Sequence, residues 1–245
     1  MLLEARKLPL AERVAARYFR FLLRRAFARV WLGGVPFPDG SEPSIAFLNH
    51  SAWWDPILTH FLSHSVLHRD AYGMFRGEEL QRYPFFRRLG CFGITTERLD
   101  DLRALPPYAA SLLTGGPRRT LWVLPQGELL PARTPLVFRS LLARVARLTP
   151  GVPLVPVAVR YEFRLDQRAE CFVRVGEALH VQPGETASAL TRRLEPRLRQ
   201  ELALLDAELA QAGVRHFRLV LEGLGSLSAL YDHTFGRVQY LRRNA

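Results

Sequence analysis

SIAFLNHSAWWDP, residues 44–56, passes from an apolar run into a histidine, a tryptophan pair, an aspartate and a proline. The run has the length and character of a short buried strand. Asp55–Pro56 is a helix-start signature, because aspartate suits the cap and proline the first turn. The segment therefore reads strand, turn, helix from Pro56, the opening unit of an α/β fold. His50 and Asp55 stand five positions apart in it. On an ideal helix such residues diverge by roughly 140°, so they meet only if His50 lies in the turn before the helix. Spacing alone leaves two readings. Asp55 caps the helix and His50 is a turn residue, or the carboxylate holds one imidazole nitrogen and leaves the other free as a base. Trp53 and Trp54 would wall off water or grip an apolar substrate.

Working outward, AYGMF, CFGIT, TLWVL, PLVPVAVRY and CFVRV repeat the strand pattern, with helical stretches near 56–68, 101–114, 136–149 and 188–211. This alternation predicts an α/β fold, a mixed and largely parallel sheet flanked by helices. Sites in such sheets collect at the carboxyl ends of strands. His50 follows one such end, and the PQGE stretch (125–128) follows another. The late helix carries leucines at 190, 194, 198, 202, 205 and 209, with Pro196 a kink or a fresh start. The expected organisation is a basic amphipathic membrane-interface helix in 1–33, an α/β domain over 44–212, and an extension of that domain in 213–245.

Residues 11–31 read as the N-terminal helix. Phe19, Leu23, Ala26 and Val30 form an apolar stripe, and Arg13, Arg17, Arg20 and Arg24 a basic one. A basic helix with aromatic anchors suits a membrane interface, and equally a docking helix with a solvated basic face. GGVPFPDGSEP (33–43) then reads as a turn-rich linker.

The formal net charge is +11, and Lys7 is the single lysine among 34 basic residues. Arginine's planar fork of donors matches phosphate, so the charge points to an anionic partner: lipid headgroups, a phosphorylated cofactor or nucleic acid. Two cysteines exclude a disulfide framework and a four-cysteine zinc site. No run reaches the ~20 apolar residues of a membrane span. Arginines interrupt every apolar stretch before residue 30, so no signal peptide is expected.

NHSAWWDP also resembles the N-H-x4-D block of the glycerolipid acyltransferases, the 1-acylglycerol-3-phosphate acyltransferase family. EELQRYPFFRRLGCFGITTER (78–98) looks like the second block of that family, LWVLPQGELLP (121–131) sits where it carries F-P-E-G-T-R, and VPLVPVAV (152–159) is similar to the fourth. The resemblance implies transfer of a fatty acyl group from acyl-CoA or an acyl-carrier protein, with no other cofactor, to a hydroxyl of a lipid acceptor. It makes His50 the general base and Asp55 its orienting partner, and leaves Ser51 a turn residue. Arg98, Gln126, Gly127, Glu128, Trp53 and Trp54 become the expected substrate-binding residues, Gly127 by permitting close backbone approach. Backbone N–H groups would supply the oxyanion site.

The chain departs from that pattern where the acceptor phosphate is held. Gln126 and Leu129 replace the family's glutamate and arginine, and Arg98 lies eight residues after Gly90, about two later than usual. Arg133 is a nearby substitute for the missing arginine. The acceptor is then lysophosphatidate-like or a lipid without phosphate, whose hydroxyls Gln126 and Glu128 would bind. The expected setting is cytoplasmic, peripheral on an anionic inner membrane face, with no nucleic acid bound. Two other classes compete. His60, His64 and His68, with His50 and Asp70, would suit a metal-dependent hydrolase, although three residues at four-residue steps drift by roughly 40° per step. A basic, non-enzymatic nucleic-acid- or membrane-binding protein also fits the charge, but the arginines are dispersed and no nucleic-acid-binding signature is present.

Overall fold

Ser44–Leu48 is a strand buried along its whole length. Its side chains alternate between two cores, Ile45 and Phe47 on one face and Ala46 and Leu48 on the other. Burial on both faces is why it reads as a continuous apolar run. In the computed structural model, which describes residues 1–95, 99–164 and 166–225, it is the third of nine strands in a single sheet.

The strands are β1 (Leu2–Leu3), β2 (Arg29–Gly34), β3 (Ser44–Leu48), β4 (Asp70–Arg76), β5 (Cys91–Ile94), β6 (Arg119–Val123), β7 (Leu154–Glu162), β8 (Glu170–Val175) and β9 (Arg218–Glu222). The helices are α1 (Pro9–Ala26), α2 (Asp55–Phe61), α3 (Gly77–Arg82), α4 (Leu99–Thr114), α5 (Leu141–Leu148) and α6 (Ala187–Ala212). Spatial order across the sheet is β1-β5-β4-β6-β3-β7-β8-β2-β9. Strands β5, β4, β6, β3 and β7 run parallel, as do β8 and β2, while β1/β5, β7/β8 and β2/β9 are antiparallel. The sheet is thus mixed and largely parallel. Helices α4, α5 and α6 cover one face through Leu105, Leu142 and Leu194, and α1 and α2 cover the other through Phe19, Leu23, Leu58 and Phe61.

Several elements differ from the sequence expectation. The helix expected over 11–31 ends at Ala26, and Phe27 is already extended. Arg29–Gly34 is a strand instead, bonded to β8 on one side and β9 on the other. Its Val30–Trp31–Leu32 centre has strand character, and the stripe ending at Val30 fitted a helical period only by coincidence. The linker accordingly begins after Gly34. Helix α6 passes Pro196 without a break. Helix α2 widens after Phe61 into a π-helical turn, Leu62–Leu67, which His68 closes in the left-handed region.

Helix α1 carries three stripes rather than two. At 100° per residue, Ala15, Phe19 and Leu23 face the core. Arg13, Arg17, Arg20 and Arg24 are exposed on a second face. Leu10, Val14, Tyr18 and Phe21 form a third, exposed and apolar, with Leu10 69% accessible. The stripe read as a membrane anchor from sequence is therefore the one that docks on the protein. The helix is secured beside α2 by Phe19, whose ring meets His60 edge-on at 5.1 Å.

The start of β3 is fixed by a buried arginine. Arg69 donates to the carbonyls of Pro38, Gly40 and Glu42 and to the hydroxyls of Ser44 and Thr120. One guanidinium thereby satisfies the backbone of the incoming loop and aligns β3 with β6, the two strands whose carboxyl ends carry the residues singled out above.

Candidate active site

Three strand ends converge beyond Leu48. Pairing of β3 with β7 ends at Leu48–Val157, and the Asn49 side chain extends it. Asn49 Nδ2 donates to the Val159 carbonyl at 3.0 Å, and the Val159 N–H donates to Asn49 Oδ1 at 2.9 Å. A buried amide thus imitates one more residue of ladder. The next residue, His50, is held by its backbone: its N–H donates to Gln126 Oε1 at 2.8 Å, and its carbonyl accepts from the Leu130 N–H at 3.1 Å. The loop after β6 therefore grips the residue after β3.

The imidazole of His50 meets Asp55, with Nδ1 and Oδ2 2.8 Å apart. Asp55 is fully buried. Its Oδ2 also accepts from the N–H groups of Ser51 (2.9 Å) and Ala52 (3.0 Å), and its Oδ1 accepts from the Tyr161 hydroxyl at 2.6 Å. Two backbone N–H groups and a phenol thus donate to this carboxyl group, a set of donors that suits its ionised form. Against a carboxylate, a neutral His50 presents its Nδ1 hydrogen and keeps its lone pair on Nε2. A pocket opens beside this ring, lined among others by Ser51, Gln126, Leu130, Thr134 and Arg160.

The spacing argument is right that His50 and Asp55 meet in the turn, and the helix-cap reading of Asp55 is corrected. Helix α2 starts at Asp55, one residue early, with no side-chain cap. The carboxylate turns backward to the preceding turn, because its donors lie there and on β7.

The remaining expected substrate-binding residues lie as follows. Gln126 is buried, lines the pocket and uses its carbonyl oxygen to accept from the His50 backbone N–H. Glu128 is exposed and 3.9 Å from Arg139. Gly127 has φ +76°, and a β-carbon there would lie 2.8 Å from Arg139 Cδ, so the side chain of Arg139 approaches it closely. Trp53 is 65% exposed, and Trp54 packs edge-on against Phe27 at 5.3 Å. Neither tryptophan lines the pocket beside His50. Arg98 lies outside the described residues. Leu129 is exposed, as is Arg133, which stands between the pocket-lining Ala132 and Thr134. The N–H groups of His50, Ser51, Ala52, Gly127 and Leu130 are all engaged within the protein, which leaves none of these five for an oxyanion.

The histidine stripe does not converge. His60 packs on Phe19, its ring stacks on His64 at 6.0 Å, and burial, with the nearby His64 and Lys7, pushes His60 down to about 4. Asp70 pairs with Lys7 and Arg119. Among the described residues no three His, Cys, Asp or Glu side chains are placed to hold a metal ion. Two residues that matter were invisible to motif reading. Tyr161 lies within β7, 106 positions along the chain from the Asp55 it meets, and Asn49's pairing with Val159 required knowing that β7 neighbours β3.

Fold and site together define an α/β protein with a carboxylate-held histidine at the carboxyl edge of its sheet. The family model described as Acyltransferase matches residues 27–160, more than half of the 245, and the chain belongs to that acyltransferase family. Among solved structures it is similar to the 1-acyl-sn-glycerophosphate (LPA) acyltransferase PlsC from Thermotoga maritima, with a TM-score of 0.55 and 20% identity over 81% of this chain and 79% of that one. At that identity the likeness is one of fold. A search of curated protein sequences gives no match.

The Gln126 contact has a measurable consequence. Gln126→Leu leaves the His50 N–H without its acceptor and is expected to cost about 1–3 kcal/mol in chemical denaturation. Gln126→Glu keeps an acceptor of the same reach and is expected to cost less than the leucine.

Proposed function

We propose that this protein is a peripheral membrane O-acyltransferase that moves a fatty acyl group from acyl-CoA or an acyl-carrier protein to a lipid hydroxyl. The observation that carries this reading is the 2.8 Å contact of His50 Nδ1 with buried Asp55 in a member of the acyltransferase family. Nε2 of His50 removes the acceptor's hydroxyl proton as its oxygen attacks the thioester carbonyl. The tetrahedral intermediate collapses by breaking the carbon–sulfur bond, and the imidazolium returns the proton to the departing thiolate. Asp55 holds the ring and offsets its positive charge between those steps. Ser51 and Thr134, whose side chains border the same pocket, are side-chain donors available to the thioester oxygen.

The acceptor reading follows from the charges at the pocket. Arg160 lines it but is paired in bidentate fashion with Asp206, at 2.8 and 2.9 Å. Arg133, exposed between two lining residues, is the cation offered to an acceptor headgroup. One arginine at the mouth suits an anionic headgroup held loosely, or one without phosphate.

The third stripe of α1 supports a membrane setting. Leu10, Val14, Tyr18 and Phe21 are exposed beside a row of arginines, and no helix among the described residues is long and apolar enough to cross a bilayer. A helix of this kind lies in the headgroup layer, its apolar face inserted and its arginines on anionic lipid. We place the protein on the inner face of the cell membrane.

Acyl transfer from labelled acyl-CoA or acyl-carrier protein to a panel of lysolipids, with and without phosphate, tests the reaction. His50→Ala and Asp55→Ala are each expected to lower the rate at least about 10²-fold, and full activity in His50→Ala overturns the mechanism. Leu10→Ser with Phe21→Ser is expected to weaken binding to anionic vesicles by roughly tenfold or more without lowering the unfolding temperature. Unchanged partitioning, or equal binding to oligonucleotides, overturns the membrane reading.

A further inference from the structure

The two oxygens of Asp55 are served unequally. Oδ2 faces three donors, His50 Nδ1 and the N–H groups of Ser51 and Ala52. Oδ1 faces one, the Tyr161 hydroxyl at 2.6 Å, shorter than the other three. A phenol serving only as core filler would not require its oxygen there, and a phenylalanine would fill the same space.

The position of that hydroxyl is built into the sheet. The bonds between Asn49 and Val159 fix where β7 passes the turn. Two residues on, Tyr161 falls on the face of β7 that carries Val157 and Val159. Phe27 stacks on the Tyr161 ring at 5.4 Å and 28°, and Trp54 meets Phe27 edge-on. The phenol is held from behind and has one partner in front. Burial foremost, then the neighbouring Cys171 and Asp55, pushes it well above its usual range, so it remains a donor throughout the working pH. Cys171 on β8 also faces this cluster, and burial, with the nearby Asp55, likewise pushes its thiol up. The adjacent Arg160 is engaged with Asp206 on α6, across the sheet.

We propose that Tyr161 is a positioning residue of the acyl-transfer centre: its hydroxyl holds Oδ1 so that Oδ2 stays aimed at His50 Nδ1, and it stabilises the charged form of the His50–Asp55 pair. The proposal rests on the role given to His50 above. The sign of its effect is fixed by charge. As a base the pair carries one negative charge, and after accepting the proton it is neutral. A hydrogen bond to the carboxylate is stronger in the charged form, so removing it favours the protonated pair, whichever atom holds the proton. Higher pH is then needed to keep the base free. Because Tyr161 is absent from the pocket lining, substrate affinity is untouched.

The test is the pH profile of kcat and KM for Tyr161→Phe, beside a titration of the His50 imidazole followed by NMR. The acid limb and the imidazole midpoint are both expected to move upward by roughly one pH unit. Activity near pH 7 falls roughly three- to tenfold and returns near pH 9, with KM unchanged. Replacing Tyr161 with 3-fluorotyrosine, a stronger donor of nearly the same shape, moves both the other way, and it supplies the readout if the phenylalanine variant does not fold. A uniformly lowered profile with neither limb nor midpoint displaced overturns the proposal. A displaced midpoint in a protein whose wild type transfers no acyl group leaves the positioning intact and overturns the proposed reaction instead.

Discussion

A carboxylate closed off from solvent is costly unless every acceptor position is answered. Asp55 is answered by four donors from two separated stretches of chain, the 50–52 turn and β7. That requirement dictates much of the local architecture. The turn must curl back over the carboxylate to present two N–H groups, which brings His50 into place. Strand β7 must extend past β3 to deliver Tyr161, and the Asn49 amide carries the ladder over that gap. The cluster then continues through Phe27 to the end of α1, so the helix proposed to meet the lipid packs against the same group of side chains that steers the histidine.

The strands of the central sheet were legible because burial on both faces writes itself as unbroken apolar runs, as in SIAFL and LVPVAV. The strands that were missed are those that depend on partners remote in the chain. Leu2–Leu3 pairs with β5, Arg218–Glu222 with β2, and Arg29–Gly34 continues a helical stripe closely enough to pass for its last turn. The meeting of His50 and Asp55 could be argued from spacing and a proline. The direction of the carboxylate could not, since one of its four partners, Tyr161, lies 106 positions away. Gln126 shows the same limit of motif reading. Its place in the third block suggested contact with substrate, and nothing in that motif indicated that its side chain also holds the backbone of His50.

The helix α1 shows how composition and packing share one element. Its arginines were plain in the sequence, but which apolar stripe docks and which stays exposed was decided by the α2 surface, where Phe19 finds His60 and Leu23 is fully buried. The leftover stripe, Leu10, Val14, Tyr18 and Phe21, is exposed and apolar and lies beside a row of arginines, the combination on which the proposed contact with an anionic lipid surface rests. At the pocket the balance is different. Arg160 is neutralised by Asp206 and Leu129 stands in place of a cation, so little positive charge remains to define the acceptor. In the proposed setting, charge would draw the protein to the membrane more strongly than it would select the headgroup.

The central claim is that Asp55 fixes the tautomer of His50 and leaves Nε2 as the base. The ¹⁵N shifts of the His50 ring in ¹⁵N-histidine-labelled protein at about pH 8 measure this directly. Protonated Nδ1 with unprotonated Nε2 is the predicted result, with the two forms mixing in Asp55→Ala. A ring protonated at Nε2, or a tautomer unchanged by removal of Asp55, would contradict the account.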